Sequence, residues 1–71
     1  MSEALTSVRP GEQFRIREVP DAEVRAKLLR LGFLDGSVTC RRQLHNGPTV
    51  IRRNGTDLAL GAAVAGDIEI E

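Results

Sequence analysis

Arg25-Ala26-Lys27-Leu28-Leu29-Arg30-Leu31-Gly32-Phe33-Leu34-Asp35-Gly36-Ser37 is the stretch that decides how this chain folds. Leu28 and Leu31, with Val24 one turn earlier, have the spacing of one helical face. Arg25, Lys27 and Arg30 make the rest of that helix basic. Gly32 stands where a helix end wants a left-handed residue, because glycine takes positive φ without a Cβ penalty. Asp35-Gly36 supplies a second turn. The stretch predicts a short basic amphipathic helix that stops at a glycine and turns at once into a strand. In so small a chain this junction points to a non-catalytic job.

Working outward, Gln13 to Val19 alternates apolar residues with arginines and predicts a half-buried strand. Pro20 ends it, and Asp21 is placed to cap the following helix, which spans about residues 21–31. Residues 1–11 read as a polar lead that ends in the turn signal Pro10-Gly11. Beyond the junction, Ser37 to Leu44 predicts a strand with Val38, Cys40, Arg42 and Leu44 on one face. Thr39, Arg41 and Gln43 share the other. Asn46-Gly47-Pro48 is a turn, Thr49 to Arg53 a strand, and Asn54-Gly55 a hairpin signal leading into a strand from Thr56 to Leu60. Gly61 breaks that strand, residues 62–65 suit one helical turn, and residues 67–70 alternate as a last strand. About five short strands and one helix favour closure over a flat sheet, because closure hides strand edges. The expected fold is mainly β: a small SH3-like, partly open barrel with one inserted α-helix.

The 71 residues suit one domain, which buries only about 60% of its unfolded surface. With no Trp or Tyr and two Phe, the core is expected to be aliphatic. A single cysteine precludes an internal disulfide and fits a reducing cytoplasm. No segment resembles a signal peptide or a membrane helix of about 20 apolar residues. Net charge is zero, which argues against non-specific nucleic-acid binding. The charge is nonetheless uneven. Residues 25–53 hold seven basic side chains and one acid, and the remainder holds three basic side chains and nine acids. Such a dipolar surface orients a charged partner.

Three sets of residues are candidates for function. Arg25, Lys27, Leu29, Arg30 and Leu34 are expected to form a docking patch, because Leu29 lies about a third of a turn off the buried stripe. Arg41 and Arg52 are expected to face each other across the hairpin, either splayed into solvent or met by an acidic partner or a carboxylate such as Glu18. Gly32, Gly36, Asn54 and Gly55 are the structural turn residues. Cys40 and His45 are the only soft metal ligands. They fall on opposite sides of an extended strand, so no metal site and no cofactor is expected. No nucleophile has a matching base, so no catalytic residue is assigned.

At this point the chain resembles a known family. Arg25, Lys27-Leu28-Leu29, Leu31-Gly32, Leu34, Gly36, Gly47-Pro48, Leu58-Ala59-Leu60, Ala65 and Ile68-Glu69-Ile70 resemble FeoA, a small cytoplasmic component of bacterial ferrous-iron uptake. They also resemble the SH3-like C-terminal domains of DtxR-type metalloregulators. The resemblance runs from about Leu5 to Glu71. One departure is visible: Asp35 stands where the family usually has proline. The resemblance implies a non-enzymatic accessory protein that binds the cytoplasmic part of FeoB, a ferrous transporter with a cytoplasmic GTPase domain. It implies a cytoplasmic protein, at most peripheral to the membrane through that partner. An alternative is a stand-alone metalloregulator-type domain that assists transcriptional control, but such a regulator needs a helix-turn-helix unit and metal ligands, and neither is visible. The final strand is expected at an edge, where Glu69 and Glu71 discourage pairing between subunits.

Overall fold

The computed structural model describes residues 3–71. In chain order the elements are β1 (Glu3–Ala4), a 3-10 turn (Leu5–Ser7), β2 (Gln13–Phe14), β3 (Ile16–Glu18), α1 (Ala22–Arg30), β4 (Val38–Gln43), β5 (Thr49–Arg53), β6 (Thr56–Leu60), α2 (Ala62–Asp67) and β7 (Glu69–Ile70). The strands form two antiparallel sheets, ordered β1-β7-β3 and β2-β4-β5-β6. The sheets stay open and give an SH3-like arrangement with one main inserted helix.

The strand expected from Gln13 to Val19 divides at Arg15. Phe14 pairs with Val38 in one sheet, whereas Ile16 pairs with Ile70 in the other. The alternation that reads as one strand therefore carries the chain from sheet to sheet. β7 is the middle strand of its sheet, flanked by β1 and β3, and so is not the expected edge. The sequence reading missed β1 because two residues carry no visible period. Nor are residues 1–11 merely a polar lead over the part described: Leu5 and Val8 are buried in the core.

The core joins Leu5, Phe14, Leu28, Phe33, Val38, Cys40, Ile51, Ala65, Ile68 and Ile70. It is not wholly aliphatic, since both phenylalanines are inside. Thr49 is its one buried polar residue among those described. The Thr49 hydroxyl donates to Gln43 Oε1, and Gln43 Nε2 donates to the Thr6 carbonyl. Burial is thus compensated, as it must be for a hydroxyl in an apolar interior.

A bulge makes that arrangement possible. Cys40 lies opposite Ile51, but Arg42 rather than Arg41 lies opposite Val50. The extra residue shifts the alternation by one, which sends every later side chain to the other face. Gln43 therefore reaches inward to Thr49. Arg42 and Leu44, both expected on the inner face, are exposed.

Candidate protein-docking site

The site is built on the end of α1. Asp21 starts the helix by accepting hydrogen bonds from the Glu23 and Val24 amides at 2.9 and 3.0 Å. These satisfy two donors that a helix N-terminus leaves free. The helix ends in a Schellman motif. Gly32 has φ +82°, its amide donates to the Leu29 carbonyl, and the Phe33 amide donates to the Leu28 carbonyl at 2.9 Å. Leu28 and Phe33, both fully buried, make the apolar contact that accompanies such an end. The left-handed residue reverses the chain and gives the inward place to Phe33. Leu31, expected on the packed face, is left 40% exposed.

The turn after Gly32 is closed by the Asp35 amide donating to the Gly32 carbonyl at 3.3 Å. Gly36 is needed for space rather than for φ. A Cβ there would lie 2.9–3.2 Å from the guanidinium atoms of Arg53. Arg53 Nε donates to the Gly32 carbonyl and an Arg53 terminal nitrogen donates to the Ser37 carbonyl, each at 2.8 Å. One side chain from the end of β5 thus ties both sides of the junction to the hairpin. Sequence reading missed Arg53, because its partners are 16 and 21 residues away. Asn54 (φ 52°) and Gly55 (φ 78°) form the expected left-handed hairpin turn.

The five residues expected as a docking patch divide between two depressions and the exposed helix surface. Arg25 and Leu34 line a shallow groove of about 500 Å³ together with Ile16, Arg17, Glu18 and Val19. Lys27 and Arg30 line a second depression with Glu23, Val24 and Ala26. Leu29 is 55% exposed and one turn on from Arg25. It is the most exposed large apolar side chain described.

Arg41 and Arg52 do not face each other. Arg52 lies opposite Thr39, and Arg41 is the bulged residue left out of the ladder. The carboxylate that meets Arg52 is Asp57, at 3.0 Å, on the neighbouring β6 and not Glu18. With both side chains nearly half exposed, such an ion pair contributes little to stability. Cys40 is a buried core residue, two positions from Val38 on β4 and opposite Ile51. Burial pushes its thiol above the ordinary value of 9.0, and the Glu12 charge adds to this against an opposing backbone hydrogen bond at Arg42. His45 is exposed beside the turn. Among the described residues no three His, Cys, Asp or Glu side chains cluster.

Residues 4–71 match the family described as FeoA domain. No protein of curated function matches the chain. The crystal structure of an iron uptake regulatory protein, FeoA, superposes with a TM-score of 0.79 at 23% identity, covering 100% of this chain and 97% of the other. The NMR structure of a FeoA-like protein from Clostridium acetobutylicum superposes with a TM-score of 0.72 at 25% identity, covering 99% of this chain and 85% of that one.

Proposed function

The chain belongs to the FeoA family, and on that premise we propose that it is a non-enzymatic accessory protein of ferrous-iron uptake. It binds the cytoplasmic region of an FeoB-like transporter, working as a cytoplasmic protein at the membrane's inner face. No helix among the described residues is long and apolar enough to cross a membrane, so such a role runs through the partner. The observation that carries the reading is Leu29, 55% exposed on a helix whose end is locked by a Schellman motif and by Arg53. An exposed leucine beside basic groups, on a rigid element, suits the apolar centre of a protein contact. Arg25, one turn before it on α1, is its basic neighbour, with Leu34 in the same groove as Arg25. Lys27 and Arg30 extend the proposed surface into the second depression. Arg41 and Arg52, on the sheet face, form a second and more peripheral part of the surface.

Calorimetric titration into the soluble cytoplasmic domain of the cognate transporter tests the reading, with and without a non-hydrolysable GTP analogue. Binding is expected. Dependence on nucleotide makes the protein a reader of the GTPase state, and independence makes it a structural subunit. Leu29→Asp is expected to weaken binding at least tenfold while the circular dichroism spectrum is unchanged, since an exposed side chain is replaced. Unchanged affinity removes the helix from the interface.

A further inference from the structure

The groove between β3 and α1 has a chemistry of its own. Its floor is apolar: Val19 is buried, and Ile16 and Leu34 pack against the core. Over that floor stand two exposed arginines from different elements, Arg17 and Arg25. Arg17 is the extra residue of a bulge. Ile16 lies opposite Ile70 and Glu18 opposite Glu69, so two steps along β3 match one step along β7. A bulge leaves its residue out of the ladder and re-aims the side chain, a device common next to functional sites. Among the described residues neither arginine has an ion pair or a side-chain hydrogen bond. Arg53, by contrast, spends its guanidinium on two backbone carbonyls, and Arg52 is paired with Asp57. A planar, always-charged guanidinium with free donors is suited to a carboxylate.

We propose that this groove is the seat for an acidic peptide segment of the partner. A carboxylate of that segment sits between Arg17 and Arg25, and an apolar side chain next to it rests on Ile16 and Leu34. The proposal rests on the transporter reading and deepens it, since the segment belongs to the transporter's cytoplasmic region. Glu18 is the one acid lining the groove. It repels the same carboxylate, which makes the sign of its effect diagnostic.

The test is a calorimetric titration of the intact protein into the transporter's soluble cytoplasmic domain. Wild type, Arg17→Glu, Arg25→Glu, Glu18→Gln and Leu29→Asp are compared at about 50 and about 300 mM salt. Each arginine reversal is expected to weaken binding about tenfold or more, and Glu18→Gln to tighten it about two- to threefold. Wild-type affinity is expected to fall as salt rises. Arginine reversals that leave affinity within about twofold, or a Glu18→Gln variant that binds more weakly, overturn the acidic segment. Should Arg17→Glu disturb the bulge and fail to fold, Arg25→Glu and Glu18→Gln still decide. Loss of binding in Leu29→Asp alone overturns the groove and leaves the transporter reading standing. A wild-type protein that does not bind at all overturns both.

Discussion

Two of the chain's reversals on a left-handed residue, each close to a leucine, are held very differently. At the helix junction Gly32 takes φ +82°, and at the β4–β5 turn Asn46 takes φ 58°. The β4–β5 turn is held by its own backbone: the Leu44 amide donates to the Pro48 carbonyl at 3.3 Å and the Gly47 amide to the Leu44 carbonyl at 2.9 Å. Its leucine is 48% exposed. The helix junction has comparable local bonds and two further supports. Phe33 is driven into the core, and Arg53 reaches across from another strand to the Gly32 and Ser37 carbonyls. A turn held mainly from within, with its outside tie (Gln43 to the Thr6 carbonyl) lying at its base in the strand, connects two strands. A turn held from outside fixes the position of whatever follows and precedes it, here Leu29 and Leu34. The proposed docking surface stands on the second kind.

The difference is breakable in stages. The largest effect is expected from Phe33→Ala, which empties a fully buried aromatic site and costs about 3–5 kcal/mol. In a domain of this size that is most of the stability, so the variant is expected to lose its cooperative thermal transition. A normal melting curve for Phe33→Ala would show that the junction is not anchored by the core.

Next comes Arg53→Ala, expected to cost about 2 kcal/mol because it removes two charged hydrogen bonds. Gly36→Ala crowds the same guanidinium at 2.9–3.2 Å and is expected to cost less, since the end of that side chain can shift. The double variant is expected to cost scarcely more than Arg53→Ala alone, as happens when two changes act on one interaction. Additive losses in urea unfolding would mean that Gly36 matters for another reason.

A smaller effect concerns Cys40 beneath the hairpin. Burial raises its thiol pKa, so the folded protein holds this proton to higher pH than the unfolded chain does. Its contribution is whole below the ordinary value of 9.0 and is lost as pH rises past it, because the unfolded chain ionises first. Wild type should therefore lose more melting temperature than Cys40→Ala between about pH 8 and pH 10. Equal losses would remove burial as the cause. The smallest effect is expected at the other turn, where Leu44→Ser should change stability by less than about 0.5 kcal/mol in the same urea unfolding. A loss as large as that of Arg53→Ala would erase the distinction between the two turns.

Much of this molecule is legible in its residues, and the reasons are local. Asp21 caps α1 because a short carboxylate before a helix has amides to accept from. Gly32 and the Asn54-Gly55 pair mark their turns because positive φ is cheap only for a few residue types. β5 and β6 begin and end where their alternation does. The errors cluster where one residue changes the count. The bulge at Arg41 turned Gln43 inward and Leu44 outward, and the one at Arg17 displaced an arginine that the alternation had treated as an ordinary outward residue. A bulge leaves no trace in a pattern of apolar and polar letters when arginines occupy it.

The sequence by itself determined the kind of fold, the helix with both its ends, the central hairpin and the residue that stays exposed on the helix. All of these depend on propensity, capping and periodicity within a few residues. Only the tertiary structure decided that Arg53 closes the junction, that Arg52 answers Asp57, that β7 lies in the middle of its sheet and that Arg17 and Arg25 line one groove. Each of those joins residues from separate elements, and which side chains meet there is set by register and by sheet order. Neither can be counted along the chain.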